Sequence, residues 1–164
     1  MKIAISGSQG TGKSFTVFKL ANQMKLKYPD KEVTILNETA RKCPYTINEG
    51  ATVSSQLWMI SNQIQREIEA ENNCDIVICD RCISDYFAYT FLTSFDLYNS
   101  LFSFLRFHIK TYDMIIFKSL KNNNDYLVDD GKRSVNKIYQ KKIDNILREI
   151  YEELEQHINK LEVI

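Results

Sequence analysis

Eight residues near the start of the chain constrain its fold more than any other stretch. Positions 7–14 carry Gly-Ser-Gln-Gly-Thr-Gly-Lys-Ser, which matches the pattern G-x-x-x-x-G-K-S of a phosphate-binding loop. Such a loop needs a strand before it and a helix N-terminus after it. Here an apolar run covers 3–5 and helical periodicity covers 14–26. We therefore predict that a nucleoside triphosphate binds at this loop.

The residue types within the loop match the task of holding a polyphosphate. Its glycines let the backbone curve around the phosphates without side chains in the way. Lys13 would reach the β- and γ-phosphates, and the Ser14 hydroxyl would ligate Mg²⁺. The residues predicted to bind the nucleotide are Gly7, Ser8, Gln9, Gly10, Thr11, Gly12, Lys13, Ser14 and Phe15.

Length and charge narrow the class of protein. A chain of 164 residues corresponds to about one domain, and 21 basic residues balance 21 acidic ones, so no global field favours nucleic acid or a membrane surface. No segment resembles a secretory signal or a membrane span, and we therefore expect a cytoplasmic protein without a membrane partner. The pair Cys79-x-x-Cys82 lacks a second ligand pair, which favours core packing over a redox or zinc site.

Strands and helices alternate along the rest of the chain. Beyond the first run, apolar or β-branched stretches predict strands at 33–36, 75–80, 112–117 and 161–164. Apolar spacings of three and four residues predict further helices at about 52–71, 83–92, 96–110 and 135–157. This alternation predicts an α/β sandwich with a parallel sheet.

Two acidic residues follow predicted strands and are candidates for chemistry. Glu38 closes the second strand and Asp80 closes the third. Ligands of open α/β sheets bind at the carboxyl ends of the strands, so both side chains should face the bound phosphates. A carboxylate near Mg²⁺ would hold the metal, whereas a more distant one would accept a proton from a substrate hydroxyl. The alternative is that either acid caps the following helix.

Three arginines lie near these acids in sequence. Arg81 follows Asp80 directly, Arg41 lies three residues after Glu38, and Arg133 ends a polar segment. A planar guanidinium can clamp two oxygens of a transferring phosphoryl group. The alternative for each arginine is a solvated surface charge.

Together these motifs resemble the small P-loop kinases of the nucleoside and nucleotide kinase group. The resemblance is strongest to the branch that contains the nicotinamide riboside kinase domains of NadR-type proteins and small phage-encoded kinases. The segments that carry it are the loop at 7–14, Glu38-Thr39-Ala40-Arg41, Asp80-Arg81-x-x-x-Asp85-x-x-x-Tyr89, and Asp130-Gly131-x-Arg133, which is similar to a lid motif. They extend over most of the chain.

The resemblance implies a three-layer sandwich around a five-stranded parallel sheet of order 2-3-1-4-5. It also implies one kinase domain over 1–164, with a short lid at about 119–134, and Mg-ATP as the phosphoryl donor. The acceptor would be a nucleoside or a nucleoside monophosphate, held between the helices that follow strands two and three. The ATP site, formed by residues 7–15, would lie next to the acceptor site.

The same resemblance implies roles for individual residues. Glu38 would take the proton of the acceptor hydroxyl, and Arg133 would be the lid arginine. The catalytic set is then Lys13, Glu38, Asp80, Arg81 and Arg133, with Ser14 and Asp80 at the metal. The predicted substrate contacts are Glu38, Arg41, Gln56, Trp58, Gln63 and Asp85, of which Trp58 could equally belong to the core.

Other functions fit the same motifs. A related kinase could phosphorylate a polynucleotide hydroxyl or a modified base in DNA, which makes nucleic acid an alternative partner. A P-loop NTPase switch would hydrolyse the nucleotide without any small-molecule acceptor. The identity of the acceptor, the preference for ATP over GTP and the assembly state, including a homodimer, stay open at this point.

Overall fold

A computed structural model describes residues 1–120, 127 and 134–164 of the chain. Within them, strands and helices alternate as the sequence predicts. The strands are β1 (Lys2–Ser6), β2 (Val33–Leu36), β3 (Ile76–Asp80), β4 (Met114–Phe117) and β5 (Leu161–Val163). The α-helices are α1 (Lys13–Lys27), α2 (Val53–Asn73), α3 (Ile83–Thr93), α4 (Phe95–His108) and α5 (Lys137–Glu153).

The five strands form one parallel sheet in the order β2-β3-β1-β4-β5. This order and the parallel pairing confirm the predicted fold class. In the register, Ile5 pairs with Asp80 on β3, and Ser6 pairs with Phe117 on β4. The carboxyl ends of the three central strands therefore meet at one edge of the sheet, next to the phosphate-binding loop.

Alternating side chains of the sheet enter two separate cores. On one face, Ile3, Ile5 and Ile78 pack with Val17 of α1. On the other, alternate residues such as Ala4 pack with the apolar faces of α2, α3, α4 and α5. Successive side chains of a strand point to opposite faces, so helices on both sides complete a three-layer sandwich.

The cysteines agree with the packing interpretation. Cys79 and Cys82 are both fully buried in the larger core, and both are free thiols. Burial raises the pKa of both thiols, which keeps them protonated and unreactive.

Helix ends follow local capping signals. The Thr52 side chain accepts a hydrogen bond from the Ser55 backbone N–H, and the Ser55 hydroxyl accepts one from the Thr52 N–H in return. Ser94 caps α4 by accepting from the Leu97 N–H, as its position between two predicted helices indicates. The last helix is shorter than predicted, because α5 ends at Glu153 and the residues 155–157 form a 3₁₀ turn.

The structure bears on the predicted absence of a membrane span and on the predicted lid. Across the described ranges, no helix has the length and apolarity needed to cross a membrane. Of the predicted lid at 119–134, the structure describes only residues 119, 120, 127 and 134, so Arg133 lies outside the described residues.

Candidate active site

The phosphate-binding loop connects the end of β1 to the start of α1, as its pattern predicts. Two of its glycines are required by geometry. Gly7 has φ 146°, and a Cβ atom there would lie 2.6 Å from the carbonyl oxygen of Lys118. Gly10 has φ 76°, a left-handed conformation that other residues rarely adopt. The loop is thus held close against the residue that follows β4.

Lys13 lies inside the loop and is almost fully buried. Its ammonium group donates hydrogen bonds to the carbonyl oxygens of Gly7, at 2.8 Å, and Ser8, at 2.6 Å. Burial, assisted by the nearby charge of Arg81, lowers the pKa of Lys13 to about 8. A phosphate beside this ammonium group would favour its charged form and reverse that shift.

Two buried polar atoms of the loop support an anionic ligand. The Ser8 hydroxyl oxygen and the Gln9 amide nitrogen have no hydrogen-bond partner among the described residues. Buried polar atoms normally find partners, and both of these can donate to phosphate oxygens. The loop therefore fits the polyphosphate that its sequence predicts.

The Ser14 hydroxyl at the start of α1 lies next to the carboxylate of Asp80 at the end of β3. The Ser14 hydroxyl donates to a carboxylate oxygen of Asp80 at 2.6 Å. The described part of the chain contains no group of three or more His, Cys, Asp or Glu residues that could hold a metal ion by itself. One carboxylate with one hydroxyl suits Mg²⁺, which usually keeps several waters and shares phosphate oxygens with its protein ligands.

Arg81 joins the ends of β2 and β3 through ion pairs. Its Nε donates to Glu38 at 2.6 Å, and one terminal nitrogen lies 3.4 Å from Asp85. Arg41 approaches Glu38 from the other side, with its Nε 3.2 Å from the second carboxylate oxygen. The guanidinium carbon of Arg81 also lies 5.5 Å from the centre of the Tyr89 ring, within range of a cation–π interaction.

The surrounding charges determine the ionisation of Glu38. Burial would raise the pKa of its carboxyl group, but the positive charges of Arg81, Lys13 and Arg41 outweigh that effect and lower the pKa to about 2. Glu38 is consequently a carboxylate at any physiological pH. In the same cluster, Asp85 has a raised pKa because its complete burial outweighs the nearby positive charges.

Arg81 also has an unusual backbone conformation. Its φ is 122°, in the region that residues with a side chain rarely adopt. Such a conformation costs about 1–3 kcal/mol and persists only when surrounding contacts maintain it. The ion pairs with Glu38 and Asp85 are those contacts here, and they fix the guanidinium group at the end of β3.

Asp85 differs from its predicted role as a substrate contact. It is fully buried beneath the phosphate-binding loop, where it accepts hydrogen bonds from the Ser6 hydroxyl and from the Gly7 N–H at 3.2 Å. The reason is its position in the first turn of α3, which points its side chain at the end of β1. Asp85 therefore supports the loop and Arg81 from below.

Most of these groups line one cavity of about 210 Å³ that is open to solvent on one side. Lys13, Glu38 and Arg81 lie along its polar side, and side chains of α2 and α3 form a largely apolar wall. The lining residues are Gln9, Gly10, Gly12, Lys13, Ser14, Phe15, Glu38, Ala40, Arg41, Ile47, Asn48, Gln56, Met59, Asp80, Arg81, Tyr86 and Tyr89.

The predicted substrate contacts on α2 separate into two groups. Gln56 lines the cavity, and its amide is held by Thr93 and Thr90. Gln63 lies two turns farther along the helix, buried and away from the cavity lining. Trp58 is half-buried against the larger core, as its alternative interpretation proposed.

Several residues around the cavity carry no signal in the sequence. Gln140 of α5 donates from its amide to the Gln9 carbonyl oxygen at 2.7 Å, across 131 positions of the chain. Tyr89 donates from its hydroxyl to the Gln9 side-chain oxygen at 2.9 Å, and Met59 and Tyr86 form part of the wall. Tyr89 is a named position of the motif at 80–89 and Tyr86 lies within it, but neither position indicates a contact with the loop or the cavity.

Comparison with known proteins places this architecture among solved kinases. Thymidylate kinase from Ehrlichia chaffeensis has 20% sequence identity and a TM-score of 0.68, covering 100% of this chain and 91% of that one. Deoxyadenosine kinase from M. mycoides with bound dATP has 17% identity and a TM-score of 0.64, with coverages of 100% and 90%. NadR in complex with NAD and AMP-PNP has 17% identity and a TM-score of 0.69, with coverages of 99% and 43%.

At these identities the solved structures establish a shared fold, in agreement with the resemblance seen in the motifs. The sequence has no significant match among curated proteins. A family profile described as "AAA domain" matches residues 2–163, nearly the whole chain. The chain therefore belongs to the AAA domain family of P-loop proteins.

Proposed function

We propose that the protein is a kinase that transfers the γ-phosphate of Mg-ATP to a nucleoside or a nucleoside monophosphate. The observation that carries this proposal is that Lys13 and the Glu38–Arg81 ion pair line the same cavity. A loop for the donor and a carboxylate for an acceptor hydroxyl are thus brought together. Phosphoryl transfer needs both groups close, because its catalysis consists mainly of positioning and electrostatic stabilisation.

The donor end of the cavity consists of the phosphate-binding loop. Loop N–H groups and Lys13 would hold the β- and γ-phosphates, and Ser14 with Asp80 would hold Mg²⁺. When bound, that ion neutralises charge on the phosphate oxygens. Lys13 and Arg81 place further positive charge on the same side of the cavity.

Glu38 is suited to orient the acceptor. In the proposed reaction the acceptor oxygen attacks the γ-phosphorus, the bond to ADP breaks, and the hydroxyl proton moves to Glu38 or onward to water. A carboxylate with a pKa of about 2 is a weak base, so its main contribution is a hydrogen bond that aims the hydroxyl. Its retained charge also keeps Arg81 in place beside the transferring group.

The opposite wall suits a nucleobase. Met59, Tyr86 and Tyr89 offer apolar and aromatic surface, and Gln56 adds an amide. The solved kinases that share the fold are described as acting on thymidylate and deoxyadenosine, which supports the same class of acceptor here. We also propose a cytoplasmic location, where ATP would be available as the donor.

The proposal is tested by incubating the protein with Mg-ATP and a panel of nucleosides, nucleoside monophosphates and DNA, followed by mass analysis of the products. We expect a phosphorylated nucleoside or a nucleoside diphosphate. Transfer to DNA alone, with an affinity for oligonucleotides that falls steeply with salt, would establish the polymeric acceptor instead. ATP consumption without any phosphorylated acceptor would establish an NTPase switch.

A further inference from the structure

A fully buried carboxylate in α2 organises a group of polar side chains behind the cavity. The carboxylate of Glu67 lies 3.2 Å from the ammonium group of Lys2, 2.8 Å from Nε2 of His108 and 2.6 Å from the hydroxyl of Tyr112. The fourth partner is the amide nitrogen of Gln63, at 2.8 Å. Because burial is outweighed by the His108 hydrogen bond and the Lys2 charge, the pKa of Glu67 is lowered and the group stays ionised.

The ionised carboxylate fixes the orientation of Gln63. A carboxylate can only accept hydrogen bonds, so the NH₂ end of the Gln63 amide must face Glu67. Its carbonyl oxygen then faces the opposite way, where two hydroxyl groups donate to it. These are Thr39, at 2.8 Å, and Tyr86, at 3.3 Å.

Both hydroxyl groups belong to the surroundings of the cavity. Tyr86 lines the cavity wall, and Thr39 directly follows Glu38 in the chain. Arg66 adds a second link from α2, because one of its terminal nitrogens lies 2.8 Å from both the Thr39 hydroxyl oxygen and the Asn37 carbonyl oxygen. The residues on both sides of Glu38 are thus held by side chains of α2.

We propose that Gln63 is a positioning residue for the acceptor, acting through Thr39 on the placement of Glu38 and through Tyr86 on the cavity wall. The inference rests on the proposed function, since it assigns Glu38 to the acceptor hydroxyl. It also replaces the predicted contact between Gln63 and substrate with an indirect role. A displacement of Glu38 by a fraction of an ångström would weaken transfer while leaving the donor end intact.

The substitution that isolates this role is Thr39→Val. It keeps the shape of the side chain and removes only the hydroxyl, while Gln63 keeps Tyr86 as a donor and Arg66 keeps the Asn37 carbonyl as an acceptor. Thr39→Ser retains the hydroxyl and serves as the conservative variant. Thr34→Val makes the same hydroxyl-to-methyl change earlier in β2, at a residue that does not line the cavity.

The experiment measures steady-state kinetics with ATP as the donor and with either deoxyadenosine or thymidine monophosphate as the acceptor. The acceptor used is the one of these two that the wild-type protein phosphorylates faster. We expect Thr39→Val to lower kcat/KM for the acceptor about tenfold and to leave the KM for ATP within about twofold. Thr39→Ser and Thr34→Val should stay within about twofold of wild type. Gln63→Met removes the acceptor of both the Thr39 and the Tyr86 hydroxyls, so it should lower kcat/KM for the acceptor at least as much as Thr39→Val.

Two results would overturn the inference while wild-type transfer stands. One is unchanged acceptor kinetics in Thr39→Val, and the other is an equal loss in Thr39→Val and Thr39→Ser. Fluorescence of Trp58, the only tryptophan of the chain and a neighbour in α2, checks in each variant that the helix remains packed. If wild-type protein phosphorylates no acceptor of the panel, the proposed function itself fails.

Discussion

Two groups of buried charges lie at opposite ends of β1, and they differ in how completely their charges are paired. At its start, Lys2 joins Glu67, His108 and Tyr112 in what we call the core cluster. Beyond its end, Lys13, Glu38, Arg81 and Asp85 form the site cluster around the cavity. Each contains a buried amine and at least one buried carboxyl group, yet only the site cluster lines a cavity.

The core cluster satisfies its own charges. Lys2 is 1% exposed, and its ammonium group bonds to the carboxylates of Glu67 and Glu71. Burial lowers its pKa, but the Glu67 charge and the other contacts outweigh this effect and the net pKa is raised. Removing one partner of such a buried ion pair destabilises the fold, because the other partner is then a buried charge without compensation.

The site cluster leaves some of its charge and hydrogen-bonding groups without a strong partner among the described residues. Lys13 has carbonyl oxygens as its hydrogen-bond acceptors, and its pKa is lowered because burial dominates. Arg81 keeps a strained backbone, and the neighbouring Ser8 and Gln9 each have a buried polar atom without a partner in the described chain. An anionic ligand would favour the charged form of Lys13 and could accept hydrogen bonds from Ser8 and Gln9, whereas the core cluster has no such unsatisfied groups among the described residues.

The largest expected effect comes from removing the amine of the site cluster. Lys13→Ala should lower phosphoryl transfer by about 10³-fold or more, because no other side chain of the loop supplies charge to the γ-phosphate. The free protein should lose little stability, since the buried amine is poorly compensated. Steady-state turnover and thermal unfolding of the same sample check both statements, and wild-type turnover in this variant would contradict the mechanism.

Removing the acid of the core cluster should have the opposite signature. Glu67→Ala leaves Lys2 buried beside a cavity and should lower the free energy of unfolding by about 3–5 kcal/mol. Chemical denaturation measures this quantity. A loss below about 1 kcal/mol would show that the core cluster is not a stabilising ion network.

The matching change in the site cluster is Glu38→Gln. We expect transfer to fall about 100-fold, because an amide orients the acceptor hydroxyl less well and releases Arg81. The free energy of unfolding should fall by about 2 kcal/mol, less than in Glu67→Ala, because Arg81 loses its ion pair with Glu38 but retains the one with Asp85. Kinetics and denaturation of this variant beside Glu67→Ala decide whether the two clusters differ as described.

The pH dependence of nucleotide binding should follow Lys13. Its pKa in the free protein is about 8, below its ordinary value of 10.5, and a bound phosphate favours the protonated form. As the pH rises above about 8, binding must recapture a proton, and the affinity for ADP should fall by up to about tenfold per pH unit. The stability of the free protein should rise over the same range, because the unfolded chain still binds that proton. Calorimetric titrations from pH 7 to 9.5 check this, with Lys13→Ala as the pH-independent control.

The smallest effect should come from Arg41, at the rim of the cavity. Its side chain is 45% exposed, and its ion pair with Glu38 is open to water. Arg41→Ala should therefore change stability by less than about 1 kcal/mol and raise the KM for the acceptor only a few-fold. A loss as large as that of Glu38→Gln would show that Arg41 belongs to the transfer machinery itself.

Much of this arrangement follows from local features of the sequence. The spacing of apolar residues predicts the strands and most helix bounds, and parallel strands bring their carboxyl ends to one edge. For that reason the order of residues along the chain is enough to predict that Glu38, Asp80 and Arg81 lie beside the loop. The Ser94 cap is likewise predictable, because capping depends on residues only a few positions apart.

The rest depends on how helices rotate and tilt against the sheet. Helical periodicity identifies a buried face of α2, but not whether Gln56 or Gln63 reaches the cavity, since both lie on that face. The contact of Gln140 with the loop joins residues far apart in the chain, and nothing local encodes it. The burial of Asp85 beneath the loop is a similar case. Its position in the motif predicts that it lies in the first turn of α3, but not that its side chain contacts Ser6 and Gly7.

In the proposed reaction, the protein transfers a phosphoryl group to a small acceptor bound in the cavity. The most direct measurement uses ATP labelled with ¹⁸O in its γ-phosphate, incubated with Mg²⁺, the protein and the nucleoside and monophosphate panel, and follows the label by mass spectrometry. We predict that the labelled phosphoryl group appears in a phosphorylated nucleoside or nucleotide, and that Lys13→Ala abolishes this product. Label found only in inorganic phosphate, with no labelled acceptor, would contradict the account.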